Sequence, residues 1–131
     1  MRALTRTASI AAFATVILSG TPALAQDVDI NKIFDCSEGG PLGAQTPAQC
    51  EDARMVLLNN CTSCHTFVPI VKAQKSEEAW DSQISIHQER VKLDEDEWQL
   101  LNDFLKSHFN ETEPVPELPP ALEALGSNQP A

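Results

Sequence analysis

A chain of 131 residues with nineteen Asp and Glu against nine Lys and Arg carries a formal net charge of −10. That balance excludes nucleic-acid binding, which needs a basic footprint, and favours a partner that presents a basic patch. With 42% hydrophobic residues and four cysteines, the length suits one small domain with a modest core.

Residues 1–25 read as an export signal to be removed. Arg2 and Arg6 form a basic start, Ile10 to Leu18 is an apolar run too short for a membrane span, and "ALAQ" (Ala23 to Gln26) offers a cleavage site after Ala25. The mature chain is then expected to start at Gln26, to lie in a bacterial periplasm and to have no membrane span. Without Arg2 and Arg6, seven basic residues face nineteen acidic ones, a net of about −12.

Residues 26–45 read as irregular, because "EGGPLGAQ" (Glu38 to Gln45) is dense in Gly and Pro. A helix follows, with Thr46 as N-cap, Pro47 at the first helical position and Gln49 closing a capping box. It is predicted to reach about Asn60, with Cys50, Ala53, Leu57 and Leu58 facing inward. Met55 lies on the same helix and is expected to pack in the core. Ser76 caps a second helix, predicted to run to about Lys92, whose first turn is acidic. A third begins after Asp94, with Glu97 as its capping-box partner, and ends near Asn110. Its apolar positions include Leu101, Phe104 and Leu105, with Phe109 close behind, and His108 is expected to face solvent. The tail, residues 111–131, holds five of the nine prolines and is expected to be extended or disordered, with local packing of "ALEAL" or its contact with a partner as the alternative. No strand pattern is visible, so the fold class is all-α.

"NNCTSCHTF" (Asn59 to Phe67) carries the chemistry. Thiols at Cys61 and Cys64 have the spacing to reach the two vinyl groups of one haem, which holds His65 beneath the iron; this is the pattern of c-type haem attachment. A thioredoxin-like redox pair would sit beside a βαβ pattern, and a zinc site would need a fourth ligand, usually from a second close-spaced cysteine pair. Free thiols are not expected in an oxidising compartment. If Cys61 and Cys64 hold haem, Cys36 and Cys50 remain as a disulfide pair, whose closure constrains the unfolded chain by roughly 3 kcal/mol.

From Thr46 to Phe109 the chain resembles the small monohaem class I c-type cytochromes of bacteria. The likeness rests on "DARMVLLNNCTSCHTF", "SEEAWDSQI" and "LDEDEWQLLNDFLKSHF", the last with the Phe104–Leu105 pair. It implies a few helices wrapped around one covalently bound haem c, with the Cys50–Asn60 helix crossing the Glu95–Asn110 helix. It also implies an electron carrier between periplasmic redox proteins rather than an enzyme.

Many relatives place a distal methionine seven residues after a tryptophan. Here Trp80 is followed at that distance by His87. Trp80, Ile84, His87 and Val91 fall within roughly 60° on the helix, so His87 shares an apolar stripe and can offer imidazole nitrogen to iron. The alternatives are a core histidine bound to a propionate or to backbone, and a five-coordinate iron open to small gases. Met55 precedes the motif on its own helix and is a poor competitor. The resemblance further implies that a proline carbonyl, here of Pro69, accepts the His65 ring N–H, and that Lys72 and Lys75 flank the haem edge. Two imidazole ligands imply a low potential. Other functional readings are the haem subunit of a periplasmic dehydrogenase and a haem-based ligand sensor.

Overall fold

Thr46 and Pro47 start the first long helix for reasons local to the chain. In the computed structural model the Thr46 side chain accepts from the Gln49 backbone N–H, and the Gln49 side chain accepts from the Thr46 backbone N–H. Pro47 occupies the first turn, where a missing N–H costs no helical bond. The structure describes residues 29–124, with the backbone continuing to residue 127. The expected signal segment 1–25, its cleavage site and the last residues of the tail lie outside the described residues.

The helices are α1 (Ile30–Ile33), α2 (Pro47–Val56), α3 (Val68–Val71), α4 (Glu77–Gln88), α5 (Glu95–His108) and α6 (Pro120–Ser127). A single π-helical turn, Leu57–Cys61, continues α2 into the cysteine motif. No strand occurs among the described residues, which bear out the all-α class. No helix among them is long and apolar enough to cross a membrane.

Helix α5 is the centre of the packing. Asp94 and Glu97 form its capping box, and Leu101, Phe104, Leu105 and His108 recur at the helical period to make a continuous buried stripe. Helix α2 lays Cys50 and Ala53 against α5, and Leu57 follows in the π turn. Helix α4, capped by the Ser76 hydroxyl, contributes Trp80 and Ile84 to the same core. It stops at Gln88, short of Lys92, and past its end the backbone N–H groups of Arg90 and Val91 share the His87 carbonyl. Asp81 pins α4 to α5 by accepting from Asn102 at 2.7 Å and pairing with Lys106 at 2.6 Å.

Segment 26–45 is less irregular than its composition suggests. Asp29 caps α1, and Phe34 is fully buried, with ring centroids 5.6, 6.0 and 5.9 Å from those of Phe67, Phe104 and Phe109. The Cys36–Cys50 disulfide ties this segment to α2 as expected. The Gln45 side chain then donates to the Leu100 carbonyl at 2.8 Å and holds the connecting loop on α5.

Three expectations fail. Met55 is 50% exposed rather than packed in the core; it sits two residues from both Ala53 and Leu57, about 200° around the helix from each, on the outer face. His108 is 4% exposed rather than solvent-facing, because it falls seven residues after Leu101 and four after Phe104 on the buried stripe. The tail is not simply extended, since Leu118 is buried and α6 packs on α3, with Glu123 paired to Lys72 at 2.7 Å. There the alternative of local packing is the one the structure adopts.

Candidate functional site

The π turn is where the chain leaves ordinary helix for the cysteine motif. Widening the turn changes the backbone pairing, and side chains take up local carbonyls. Thr62 donates to the Leu58 carbonyl at 2.6 Å and Asn60 to the Val56 carbonyl at 2.9 Å. Single π turns recur at functional sites, and this one delivers Cys61 to the wall of a cleft.

The cleft encloses about 280 Å³, and about 830 Å³ when the space open to solvent is counted. Small-molecule and cofactor sites commonly span ~300–1,000 Å³. The π turn and following loop supply Leu57, Cys61 and His65; α3 supplies Pro69 and Ile70; α4 supplies Trp80, Gln83, Ile84 and His87; α5 supplies Trp98, Leu101 and Leu105. Ala73 and Lys75, between α3 and α4, complete the wall. The lining is mainly apolar, with a thiol and two imidazoles set into it.

Both imidazoles are oriented by backbone. The His65 Nδ1 lies 2.8 Å from the Thr66 carbonyl oxygen, and the His87 Nδ1 lies 2.8 Å from the Gln83 carbonyl oxygen. A carbonyl can only accept, so each Nδ1 carries the proton and donates it. In the neutral ring each Nε2 is then left with a free lone pair, the form in which histidine binds metals. The acceptor for His65 is Thr66 and not Pro69 as expected, because the neighbouring carbonyl is already within reach. Pro69 contributes to the wall instead.

Cys61 and Cys64 are both free thiols. Cys61 is half-buried in the wall; burial, and secondarily the neighbouring Cys64, push its thiol up from the ordinary range. A reactive redox thiol is instead held low by an electropositive setting. Cys64 is exposed on the loop and lies outside the cleft wall.

Of the other residues expected at the site, Trp80 and Ile84 line the cleft from α4. Trp80 is anchored by its indole N–H, which donates to the Phe109 carbonyl at 2.9 Å. Val91 is half-buried beyond the end of α4 and does not line it. Lys75 lines the cleft, whereas Lys72 is engaged by Glu123. Sequence reasoning missed Gln83, whose backbone oxygen orients His87. The signal available was its position four residues earlier, one turn down the same face.

A second cluster of ligand-type atoms lies in the core. The sulfurs of Cys36 and Cys50 and a ring nitrogen of His108 lie within 4.8 Å of one another. Both sulfurs are joined to each other, so neither is a thiolate able to ligate. The His108 ring stacks on Phe104 at 4.1 Å, with Nε2 3.1 Å from the Asp35 carbonyl and 3.6 Å from the Cys50 sulfur. Burial pulls its pKa below the usual histidine value, with the Asp35 and Phe104 carbonyls opposing. This cluster is structural.

No protein-family model matches the chain, and no curated protein or solved structure is detectably similar to it.

Proposed function

We propose that this protein is a monohaem c-type cytochrome that carries one electron between periplasmic redox partners. The observation that supports this best is the convergence of Cys61, His65 and His87 on one apolar cleft, with the Nδ1 of both imidazoles held by backbone carbonyls. The donor set suits a haem: thiols for thioether attachment, two neutral imidazoles for iron, and flat apolar surfaces from Trp80, Ile84 and Leu101. The chain pairing of α2 with α5 beside the cleft also agrees with helices wrapped around such a group.

In this reading Cys61 and Cys64 form the covalent bonds, with the exposed Cys64 at the surface end of the motif. His65 is the proximal ligand, oriented by the Thr66 carbonyl, and His87 the distal one, oriented by the Gln83 carbonyl. When bound, the haem supplies a one-electron iron couple. The protein's part is to hold both imidazoles in fixed orientation, so that little rearranges when the charge changes, and to exclude water with the Leu57–Trp80–Leu101 wall. Imidazole in place of methionine sulfur lowers the potential. The protein makes and breaks no substrate bond in this reading and is not an enzyme. Residues 1–25 serve export to the periplasm, and the acidic surface steers association with a basic patch on the partner.

Absorption spectra of the purified ferric and ferrous protein test the ligation. Low-spin spectra without a sulfur-to-iron charge-transfer band are expected, and His87→Ala should become high-spin and bind carbon monoxide at once. A ferric parent that is high-spin, or that shows the sulfur band, removes His87 from the iron. Immediate tight binding of carbon monoxide by the ferrous parent would indicate a ligand sensor instead. Copurification with a larger catalytic chain would mark a dehydrogenase subunit.

A further inference from the structure

Lys75 is the one Lys or Arg side chain in the cleft wall. Its backbone is fixed from the far end of α5: the Lys75 N–H donates to the Phe109 carbonyl at 3.0 Å, and the residue bridges to Asn110. The same Phe109 oxygen receives the Trp80 indole N–H. Lys75 and Trp80 are therefore held together, with the ammonium 5.8 Å from the indole ring centroid.

The Lys75 ammonium forms no ion pair among the described residues. Lys32, Arg54, Lys72 and Lys106 each pair with a carboxylate, whereas Lys75, Arg90 and Lys92 have none within ion-pair distance among the described residues; of these three only Lys75 is half-buried. In a chain with nineteen acidic residues and nine basic ones, a half-buried lysine without an ion-pair partner is unexpected. Beside an apolar wall an ammonium loses part of its hydration, and contact with a ring offsets only some of that loss. The arrangement is one that a carboxylate entering the cleft would complete. The wall holds no other Lys or Arg, and the Trp80 N–H is already committed.

We propose that Lys75 anchors a carboxylate of the cleft's occupant, which on the haem reading above is a haem propionate. The assignment rests on that reading. It gives Lys75 a role in tuning as well as binding: its charge compensates the propionate near the iron, which favours electron uptake. Removing it leaves a negative charge uncompensated in a low-polarity site, and the oxidised state gains.

Potentiometric titration of the haem-loaded parent, Lys75→Gln and Lys75→Arg tests this. We expect K75Q to lose about tenfold in electron affinity, a midpoint lower by ~59 mV for a one-electron couple, with its visible spectrum unchanged. K75R should restore the parental midpoint. The K75Q midpoint should also become pH-dependent at higher pH than the parent's, because the unpaired propionate is easier to protonate. If K75Q does not accumulate with haem, Lys75→Met keeps the stem's packing on Trp80 and is measured the same way. A red parent whose midpoint and pH dependence are unmoved by the neutral substitution overturns the Lys75 assignment alone. A parent with no covalent haem overturns both it and the haem reading.

Discussion

Cys36 and Cys50 are joined, buried and in contact with His108, whereas Cys61 and Cys64 are unjoined and lead directly to His65 in the wall of a cleft. The two regions use the same residue types. In the first, the sulfurs bond each other and the imidazole has carbonyls of Asp35 and Phe104 within hydrogen-bond distance of its two nitrogens. In the second, each imidazole sits in a cleft wall with its Nδ1 held by a backbone carbonyl. The contrast shows that identity of side chain does not separate a staple from a site. Satisfaction does: a closed bonding set in a packed core stabilises, while oriented donors with a vacant partner can bind.

Removing both sulfurs from each region in turn should break that contrast most sharply. On the haem reading proposed above, Cys61→Ser with Cys64→Ser should abolish covalent haem, read as loss of the haem-stained band after denaturing electrophoresis. Cys36→Ser with Cys50→Ser should keep the band. Retention of covalent haem by the first variant would mean that the two regions have been assigned the wrong way round.

The second pair should act on stability instead. The disulfide spans 14 residues of sequence, and losing a loop of that size costs about 3 kcal/mol. Denaturant unfolding of Cys36→Ser with Cys50→Ser should show it as a lower midpoint. An unchanged midpoint would deny the pair its structural role.

His108 sharpens the comparison through pH. Its folded pKa is depressed below 6.5, chiefly by burial. The unfolded chain therefore binds the proton more readily between the two values, and stability rises with pH across that window. The contribution is present above pH 6.5 and is lost as the pH falls through the depressed folded value. Unfolding curves at stepped pH should show this decline, and His108→Gln should flatten it.

The smallest effect belongs to the exposed tie between α4 and α5. Asp81 is held below the usual carboxylate range first by Asn102 and then by Lys106. Asp81→Asn should lower the melting temperature slightly, by an amount that shrinks in high salt, because exposed ion pairs are screened. The haem spectrum should not move, since Asp81 does not line the cleft.

What was legible from sequence was what is decided over short range. The Thr46–Gln49, Ser76 and Asp94–Glu97 caps are bonds across three residues, so their donors and acceptors can be read directly from spacing. The same holds for the stripe carrying Trp80, Ile84 and His87, because the helical period alone aligns them. Cys61 and His65 were likewise singled out by a local motif, and the structure sets both, though not Cys64, in one cleft wall. These are properties of a chain that curls in a known way.

Tertiary structure decided the rest, because burial depends on what arrives from elsewhere in the chain. Met55 faces solvent since α5 takes the opposite side of α2, and His108 is buried since Phe34 and the 34–36 segment cover the end of α5. Residues 118–124 settle on α3 through a buried leucine and an ion pair to Lys72, neither of which a proline-rich composition announces. The orientation of His65 by Thr66 rather than Pro69, and the solitary charge of Lys75 beside Trp80, likewise exist only once the loops close. Local hydrogen bonding set the helices and the motif; long-range packing determined which donors were left unsatisfied and therefore free to bind.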